Sequence, residues 1–292
     1  MTATSDKLLC GLIGAGIQRS LTPAMQEAEA AAQGLRLHYQ LIDLDAAGQG
    51  VEALPALIAA AKAMGFAGLN ITYPCKQAVI ALLDELSDEA RAMGAVNTVV
   101  FERQGRGVRA IGHNTDGSGW RWGFRRALPD ADLSRVVLLG AGGAGSAIAH
   151  SVCRMQARSL AIVDQDPQRA ADLADELNRQ YGGLRVTSAS DPARALDGAT
   201  GLIHATPTGM DKLPGVPLDP NLLRPGLWVS EIVYFPLETA LLQAARVAGC
   251  RVVDGGTMAV GQAIGAFELF TGHRADAARV DAHFRRLIKE RA

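Results

Sequence analysis

The pattern of apolar and polar residues alternates along most of the chain between two kinds of segment. Short apolar runs are typical of buried strands, and apolar residues that recur every three or four positions are typical of amphipathic helices. In the first half the predicted strands are 8–13, 37–44, 68–72, 95–101 and 108–111, and the predicted helices are 22–33, 51–64, 77–86 and 117–128. Thr22 is predicted to cap the first helix, with Pro23 at its first position. The polar stretch 102–107 predicts that the strands on either side of it form a hairpin.

The second half of the chain repeats this alternation. Its predicted strands are 136–139, 159–163, 184–187, 201–204, 228–233 and 251–254, and its predicted helices are 143–155, 167–180, 191–196, 239–248 and 258–270. Strands that alternate with helices predict parallel sheets covered by helices on both faces, which is an α/β fold. The length of 292 residues is enough for two domains, and the turn-rich segment 129–132 is the predicted hinge.

A glycine-rich segment follows the predicted strand 136–139. It reads Gly140-Ala141-Gly142-Gly143-Ala144-Gly145 and opens the next predicted helix. In dinucleotide-binding folds the first glycine permits the tight turn, the second lets the backbone approach the pyrophosphate, and the last lets the helix pack on the strand. The positive N-terminus of that helix then faces the anion. A purely structural glycine turn is the alternative, so the context of the segment decides between them.

The next predicted strand supplies that context, because it ends in Asp164, about 20 residues past the last glycine. An acidic residue at this position is placed to accept hydrogen bonds from the adenosine ribose hydroxyls of a dinucleotide. An ordinary helix cap is the other reading of Asp164. Strand, glycine turn, helix, strand and acidic residue in this order favour the dinucleotide site.

The composition limits the other partners that the chain could have. Hydrophobic residues make up 48% of it, and 29 Lys and Arg balance 30 Asp and Glu. No basic excess is present to attract nucleic acid or an anionic membrane, so we expect small-molecule partners and neither of those two. The four cysteines lack the paired spacing of metal sites or disulfide frameworks, so we expect no metal and a reducing cytoplasm. The start of the chain lacks the features of a signal peptide, and no apolar stretch is long enough to span a bilayer.

Four polar clusters in the first half lie where predicted strands end. They are Ser20-Leu-Thr22-Pro, Asn70-Ile-Thr72-Tyr-Pro-Cys-Lys76, Gly94-Ala-Val-Asn97-Thr and Gly112-His-Asn114-Thr115-Asp116-Gly. Helix capping would explain the hydroxyls of the first cluster, and turn chemistry would explain Asn114 and Asp116. Lys76 could be a solvated residue, although the first turn of a helix is electrostatically unfavourable for a cation. Together the clusters favour a pocket for a small polyol, because open α/β sheets bind ligands where their strands end.

Seven motifs occur along the chain in order. They are Ser-x-Thr-Pro at 20–23, Asn-x-Thr-x-Pro-x-Lys at 70–76, Gly-Ala-Val-Asn-Thr at 94–98, Asn-Thr-Asp-Gly at 114–117, Gly-Ala-Gly-Gly-x-Gly at 140–145, His-Ala-Thr-Pro-x-Gly-Met at 204–210 and a last motif that ends in Gln262-Ala263. Together they make the chain similar to the shikimate dehydrogenase family. The resemblance extends from Gly11 to Phe270. It implies a substrate-binding catalytic domain over 1–116, a Rossmann domain over 117–254, and C-terminal helices over 255–292 that pack back on the first domain.

The resemblance also implies an activity and roles for individual residues. The activity is reversible hydride transfer between the C3 hydroxyl of shikimate or quinate, which are cyclohexene and cyclohexane carboxylates, and the nicotinamide of NAD or NADP. Lys76 and Asp116 would be the catalytic pair. The implied substrate-binding residues are Ser20, Thr22, Thr72, Asn97, Tyr234 and Gln262. The implied cofactor-binding residues are Gly140, Ala141, Gly142, Gly143, Ala144, Gly145, Asp164, Arg169, Thr206, Gly209 and Met258.

The catalytic roles need a proton carrier. A lysine must give up its proton to act as a general base at neutral pH, and a nearby aspartate opposes that loss. We therefore predict that Lys76 carries the proton together with Asp116 as a coupled pair, rather than as an independently neutral amine.

The choice of cofactor is read from the end of the predicted strand 159–163. NADP-using members of the family carry Asn-Arg-Thr there, and the arginine meets the 2′-phosphate; this chain has Asp164-Gln-Asp166-Pro-Gln-Arg169. Two carboxylates would repel that phosphate, so NAD is expected, although Arg169 could offset the repulsion. The Ser-x-Thr-Pro motif and the run Pro236-Leu-Glu-Thr resemble NAD-using quinate/shikimate enzymes, which favours a catabolic role.

Three alternatives remain open from the sequence. The first is an NADP-dependent shikimate dehydrogenase of aromatic biosynthesis, the second an enzyme acting on aminoshikimate, and the third a non-catalytic sensor of a dinucleotide and a small acid. Two residues depart from the family pattern, namely Glu231, where aspartate is usual, and Gln26, where histidine is common. A monomer or a homodimer is expected, and the motifs do not rank quinate against shikimate.

Overall fold

The computed structural model describes residues 7–105, 107–183 and 185–291. The chain divides into two compact units, of which the first contains residues 1–115 and 262–287 and the second contains residues 116–261 and 288–292. The division therefore falls after Thr115 and after Gly261. The functional domain boundaries expected from the sequence stay a prediction.

The regular elements follow the alternation of the sequence. The strands are β1 (Lys7–Gly14), β2 (Arg36–Asp43), β3 (Gly68–Ile71), β4 (Glu85–Leu86), β5 (Thr98–Gln104), β6 (Gly107–His113), β7 (Val136–Leu139), β8 (Ser159–Val163), β9 (Arg185–Ala189), β10 (Gly201–His204), β11 (Trp228–Glu231) and β12 (Arg251–Val253). The α-helices are α1 (Thr22–Ala32), α2 (Leu54–Met64), α3 (Asp88–Met93), α4 (Thr115–Ala127), α5 (Gly143–Arg154), α6 (Pro167–Gln180), α7 (Pro192–Leu196), α8 (Ala240–Val247), α9 (Gly256–Thr271) and α10 (Ala277–Lys289). Short 3₁₀ helices lie at Val51–Ala53, Ala78–Leu82 and Pro220–Leu222. The predicted strand 184–187 corresponds to β9, and its residue 184 lies outside the described residues.

The first unit is built on a mixed sheet with the strand order β2-β1-β3-β5-β6-β4. β1 is parallel to β2 and β3, whereas β5 is antiparallel to both β3 and β6. The predicted hairpin of β5 and β6 is confirmed. The sheet is therefore mixed rather than purely parallel, because the short connection after β5 returns the chain beside it, and only antiparallel strands can be joined in that way.

The predicted helix 77–86 was wrong. Only a 3₁₀ helix forms over residues 78–82, and residues 85–86 are the edge strand β4, parallel to β6. The cause lies in Asp84, whose backbone N–H donates to the Ala110 carbonyl and whose carboxylate accepts the Ala110 N–H at 2.7 Å. These bonds attach residue 84 to β6 of the sheet, so an α-helix cannot extend through it.

The first unit has apolar packing on both faces of its sheet. On one face Leu69 and Ile71 of β3 pack with Ile58 of α2. On the other face Phe270 of α9 is buried with Leu12, Tyr39 and Val100. Gly68 makes this packing possible, because a Cβ at that position would lie 2.3 Å from the Phe270 ring.

The second unit is built on a parallel sheet with the strand order β12-β11-β10-β7-β8-β9. The chain runs from β7 outward through β8 and β9, and then crosses back to β10 on the other side of β7. This reversal beside β7 is the switch point at which doubly wound folds bind ligands. The α/β fold class expected from the sequence is confirmed.

Two apolar clusters cover the faces of this second sheet. In one, Trp120 and Phe124 of α4 pack with Trp228, and the Trp120 indole N–H donates to the Ser230 hydroxyl at 3.0 Å. In the other, α8 buries Leu241 and Leu242 against Val229 and its neighbours. The aromatic N–H is thus satisfied inside an apolar layer.

All four cysteines are buried free thiols. Burial raises the pKa of Cys10 and of Cys153 to about 12. Within residues 7–105, 107–183 and 185–291, no group of three or more His, Cys, Asp and Glu side chains is arranged to hold a metal ion. In the same described ranges, every helix is too short or too polar to cross a membrane.

Candidate functional site

The loop between β1 and α1 is shaped by Asp43, a residue that sequence reasoning missed. Its carboxylate accepts hydrogen bonds from the backbone N–H groups of Gly16, Ile17 and Asp45 and from the Gln18 side chain, at 3.0–3.1 Å. Burial alone would raise the pKa of Asp43, but these donors outweigh burial and lower it. The signal that could have found it is the one used for Asp164, since both are acidic residues that end the second strand of a sheet.

Ser20 and Thr22 lie beyond this loop at the start of α1. Thr22 was predicted as the helix cap, and this was wrong, because the cap position is Leu21. The Ser20 hydroxyl accepts the Thr22 N–H at 3.2 Å and donates to Thr22 Oγ1 at 3.1 Å. The two hydroxyls are therefore held side by side at the N-terminus of an 11-residue helix, where negative charge is favoured.

Asn97 is the centre of a buried polar network at the end of β3 and the start of β5. Its Oδ1 accepts the Thr115 N–H at 2.8 Å and the Thr98 hydroxyl at 2.9 Å, and its Nδ2 donates to Thr115 Oγ1 at 3.0 Å. Asn97 is 6% exposed. Its amide orientation is consequently fixed by the protein before any ligand binds.

Asn70 and Tyr39 extend this network. Asn70 begins one of the predicted polar clusters but was given no role of its own, and Tyr39 was not predicted as a site residue. Asn70 Nδ2 donates to Thr98 Oγ1 at 3.0 Å, and its Oδ1 accepts the Tyr39 hydroxyl at 2.6 Å. Burial raises the pKa of Tyr39 well above its usual value, so the phenol is a donor at neutral pH. Nothing in the local sequence signals this pair, because Tyr39 and Asn70 lie on different strands.

Lys76 lies in a turn, and the prediction that it occupies the first turn of a helix was wrong. The Cys75 N–H donates to the Thr72 carbonyl at 2.8 Å, and the Lys76 carbonyl accepts the Val96 N–H at 2.9 Å. The Lys76 backbone is thus bonded beside Asn97. The electrostatic argument from the helix dipole does not apply to this lysine.

Asp116 follows Thr115 directly in the chain and is 4% exposed. Thr115 is in turn bonded to Asn97, whose neighbour Val96 is bonded to Lys76. The structure therefore places Lys76 and the residue before Asp116 on either side of one short segment. The direct pairing of Lys76 with Asp116 stays a prediction.

Gln26 links α1 to the part of α9 that belongs to the first unit. It lies one turn after Thr22 on α1, is 1% exposed, and donates from Nε2 to the Ala263 carbonyl at 2.9 Å. Two residues further along α9, Gly265 faces Thr115 so closely that a Cβ there would lie 3.3 Å from its methyl group. Gln262 is thereby held near the end of α1 that carries Thr22 and near Thr115.

The glycine turn of the second unit has the features that a pyrophosphate needs. Gly140 has φ +101°, and a Cβ there would lie 2.6 Å from the Ala205 carbonyl oxygen. A Cβ at Gly145 would lie 2.0 Å from the Gly140 carbonyl oxygen. At Gly142 and Gly143, by contrast, a Cβ would meet nothing within 4 Å. The first and last glycines are thus required by packing, and the two middle ones leave open space before the N-terminus of α5.

Asp164 lies beside this turn. Its Oδ2 accepts the Ala141 N–H at 2.7 Å, and its Oδ1 accepts the Asp166 N–H at 2.9 Å. Asp166 is the cap of α6 and accepts the N–H groups of Gln168 and Arg169 at 3.0 and 3.3 Å. The arginine is exposed in the first turn of α6.

The remaining predicted cofactor residues have different environments. Thr206 follows β10, and its methyl group would lie 3.0 Å from a Cβ at Gly140. Gly209 has φ +96°, and its N–H donates to the Leu213 carbonyl at 2.8 Å. Met258 is 6% exposed within the Trp120 cluster. The side chain of Tyr234, predicted for substrate, is 46% exposed.

A buried His204–Glu231 pair lies at the ends of β10 and β11. His204 Nδ1 is 2.8 Å from Glu231 Oε1, and both side chains are fully buried. Glu231 Oε1 also accepts the N–H groups of Ile232 and Val233, and β11 ends at residue 231 rather than at the predicted 233. The departure at Glu231 thus has a structural partner, which the sequence did not reveal.

Each unit can do one part of a reaction. The first gathers hydroxyl and amide groups at the ends of its strands, which suits a polyhydroxylated acid. The second offers a glycine turn with open space beside the start of a helix, which fits the pyrophosphate of a dinucleotide.

Comparisons with known proteins show what the chain is similar to. A family model described as the shikimate dehydrogenase substrate binding domain matches residues 12–99. The chain is 55% identical to a shikimate dehydrogenase (NADP(+)) of Streptomyces avermitilis over 95% of this chain and 94% of that relative. It is 46% identical to a quinate/shikimate dehydrogenase (NAD(+)) of Corynebacterium efficiens over 96% and 98%. The solved structure of quinate dehydrogenase from Corynebacterium glutamicum in complex with NAD matches it with a TM-score of 0.89 at 44% identity, covering 96% of this chain and 99% of that one.

Proposed function

The chain belongs to the shikimate dehydrogenase family, and we propose that it catalyses reversible hydride transfer between the C3 hydroxyl of quinate or shikimate and NAD. The product is 3-dehydroquinate from quinate and 3-dehydroshikimate from shikimate. The observation that supports this most strongly is the pairing of two features in one chain: the Asn97 network beside Lys76, and the open glycine turn beside Asp164.

The carboxylate of the substrate would bind at Ser20 and Thr22. Their hydroxyls lie 3.1 Å apart at the start of α1, where the helix dipole favours an anion. Thr72, Asn97 and Gln262 would bind the ring hydroxyls, with Tyr234 nearby. This assignment accounts for an acid that carries several hydroxyls rather than a simple alcohol.

Lys76 would take the proton from the reacting hydroxyl as the hydride leaves the same carbon. Asp116 would share that proton, so that the two side chains act together. The bound dinucleotide supplies the hydride acceptor at C4 of its nicotinamide. The Asn97 network holds the Val96 segment to which the Lys76 backbone is bonded, so the lysine starts from a fixed turn.

NAD rather than NADP is the proposed cofactor. The Asp164 carboxylate lies at the end of β8, where an adenosine ribose binds in this fold, and Asp166 adds a second negative charge two residues later. A 2′-phosphate would meet both carboxylates. Gly140 to Gly145 would hold the pyrophosphate, and Thr206, Gly209 and Met258 would contact the nicotinamide side.

One observation favours NADP instead, namely the exposed Arg169 in the first turn of α6. Kinetics separate the two cofactors. We expect wild-type kcat/KM to be at least tenfold higher with NAD, and Asp164→Ser to raise the NADP/NAD ratio of kcat/KM by about tenfold or more by removing the repulsion. Asp172→Ser, further along α6, is the matched control and should leave the ratio unchanged. Equal efficiency of the wild type with both cofactors would contradict NAD preference.

The activity itself is tested with a substrate panel. Quinate, shikimate and aminoshikimate are each assayed with NAD and with NADP by the absorbance of reduced nicotinamide. We expect turnover of quinate and shikimate with NAD. Binding without turnover of any of these acids would refute the enzyme and favour a sensor.

The setting of the enzyme is also a proposal. Buried free thiols fit a reducing cytoplasm, and we propose that the protein works there as a monomer or a homodimer. The expected domain boundaries, with substrate domain 1–116, Rossmann domain 117–254 and returning helices 255–292, belong to the same proposal.

A further inference from the structure

A chain of buried hydrogen bonds in the second unit ends at Thr206. Its members are Thr239, Glu231, His204 and Thr206. The Thr239 hydroxyl donates to Glu231 Oε2 at 3.0 Å, and His204 Nδ1 lies 2.8 and 3.0 Å from the two Glu231 oxygens. On the far side of the ring, His204 Nε2 is bonded to the Thr206 hydroxyl.

The direction of these bonds follows from the chemistry of the groups. Glu231 accepts from Thr239, from His204 and from two backbone N–H groups, so it acts only as an acceptor. When His204 is the neutral imidazole, its proton lies on Nδ1, toward Glu231, and Nε2 is an acceptor. Thr206 must then donate its hydroxyl proton to Nε2.

Thr206 consequently presents its oxygen to a ligand as an acceptor. One lone pair of that oxygen receives the Thr208 N–H at 3.3 Å, and the hydroxyl proton is already engaged by His204. Phosphate oxygens have no proton to donate, so this oxygen is unsuited to a pyrophosphate. It suits a hydroxyl or an amide N–H.

The position of Thr206 in the sheet indicates which part of a dinucleotide supplies that donor. β8, which leads to Asp164, lies on one side of β7, and β10, which leads to Thr206, lies on the other. If the adenosine ribose lies at Asp164 and the pyrophosphate at the glycine turn, the nicotinamide nucleoside must lie on the β10 side. Thr206 is next to that turn, since its methyl would be 3.0 Å from a Cβ at Gly140.

We propose that His204 and Glu231 are positioning residues that fix the Thr206 hydroxyl as an acceptor for the nicotinamide nucleoside, through a ribose hydroxyl or the carboxamide N–H. The inference rests on the proposed dinucleotide cofactor and on Thr206 contacting its nicotinamide side, and it adds the two residues that fix the Thr206 hydroxyl. It also gives the glutamate at 231 a role, because an aspartate is one methylene shorter and would reach less far toward His204.

The test is a double-mutant cycle read by NADH binding. Thr206→Val keeps the shape and removes the hydroxyl, and His204→Leu removes its partner. Each is expected to raise the Kd for NADH, measured by its fluorescence, about tenfold. The double variant should bind NADH no more weakly than the weaker-binding single variant, because the two substitutions remove the same contact. KM for quinate or shikimate should stay within about twofold of the wild type.

ADP and ADP-ribose are the matched ligand controls, measured by competition with NADH. ADP lacks the nicotinamide nucleoside, so its Kd should not change in any variant. If the Kd for ADP-ribose rises as much as the Kd for NADH, the donor is the ribose hydroxyl. If the Kd for ADP-ribose is unchanged, the donor is the carboxamide N–H. Both results support the proposal.

Three results would overturn it: an unchanged NADH Kd in Thr206→Val, additive losses in the double variant, or an equal loss of ADP binding. Removing His204 alone leaves Glu231 buried without its partner, so His204→Leu/Glu231→Leu is made as a second variant that removes both. This double variant must also raise the Kd for NADH without changing the Kd for ADP. Wild-type turnover is measured separately, so failure of the dehydrogenase activity is distinguished from failure of this inference, which depends on Kd values.

Discussion

Lys76 is the residue whose replacement tests the chemistry most directly. Lys76→Ala is expected to lower kcat by a factor of about 10² to 10⁴, because a positioned proton carrier contributes on that scale. KM for quinate or shikimate should change only a few-fold, because the binding groups at Ser20, Thr22 and Asn97 remain. Steady-state kinetics provide the measurement.

Lys62 supplies the control for that variant. It lies on α2 in the same unit and pairs with Asp84 at 3.1 Å, away from the Asn97 network. Lys62→Ala should leave kcat within about twofold. A Lys76→Ala enzyme with nearly wild-type kcat would remove the lysine from the mechanism.

His150 makes the second unit sensitive to acid. Its side chain is fully buried on α5, with Nδ1 3.1 Å from the Tyr181 hydroxyl, and burial together with the Arg154 charge lowers its pKa to about 4. The unfolded chain takes up a proton near pH 6.5 and the folded protein does not. The free energy of unfolding should therefore be unaffected by this group above pH 6.5, and should fall as the pH drops from 6.5 to about 4, by at most about 1.4 kcal/mol per pH unit.

Urea unfolding across that pH range tests the effect. His150→Gln should flatten the fall in the free energy of unfolding between pH 6.5 and 4. His273→Gln, which changes an exposed histidine, should leave the slope as it is in the wild type. An unchanged slope in His150→Gln would show that other groups cause the acid sensitivity.

The C-terminal helix α10 is attached to α1 through one buried carboxylate. Glu29 on α1 accepts two bonds from the Arg279 guanidinium, at 2.7 and 2.8 Å, and the Asp276 N–H at 2.8 Å. Burial would raise the pKa of Glu29, but these donors together lower it. Glu29 thus bonds both to Arg279 on α10 and to Asp276, the residue before that helix.

Glu29→Gln is expected to lower the free energy of unfolding by about 2 kcal/mol, the usual size for a hydrogen bond to a charged group. Amide exchange over residues 277–287 should become faster. Asp281→Asn, which breaks the half-exposed Asp281–Arg285 pair, should cost about 0.5 kcal/mol or less. An equal loss in the free energy of unfolding in Glu29→Gln and Asp281→Asn would contradict the proposed role of Glu29 in holding α10.

Elements that are determined by residues close together in the sequence could be predicted from it. β7, the glycine turn and α5 follow one another within 20 residues, and Gly145 is required by its contact with Gly140 in the same turn. The same holds for Asp164, which the end of β8 places beside the turn. These parts of the candidate site needed no knowledge of the rest of the fold.

Elements that depend on distant partners could not be predicted. Residues 78–83 are apolar and resemble part of a helix, but the bonds of Asp84 to Ala110 decide their structure. The Glu231–His204 pair joins two strands, and Tyr39 bonds to Asn70 across the first sheet. Such contacts exist only once the strands are in order, so a pattern along the chain does not contain them.

The two units have separate cores, and the whole molecule should unfold accordingly. Phe270 is 6% exposed in the core of the first unit, and Phe124 is 1% exposed in that of the second. Phe270→Ala should lower the stability of the first unit by about 3 to 5 kcal/mol, and Phe124→Ala should do the same to the second. Calorimetry should show two transitions, each shifted by only one of these variants.

Ligands provide the complementary measurement. NADH should raise the midpoint of the transition that Phe124→Ala lowers, and quinate or shikimate should raise the other, because a ligand stabilises the unit that binds it. A single transition that both variants shift equally would show that the units unfold as one cooperative body.

The burial of all four native thiols makes the protein suitable for site-specific labelling. Maleimides react with accessible thiolates, and Cys10, Cys75, Cys153 and Cys250 are neither accessible nor readily ionised. A cysteine introduced at Val247, which is 91% exposed on α8, would react ahead of all of them. A fluorophore could therefore be attached at one chosen point without first removing any native cysteine.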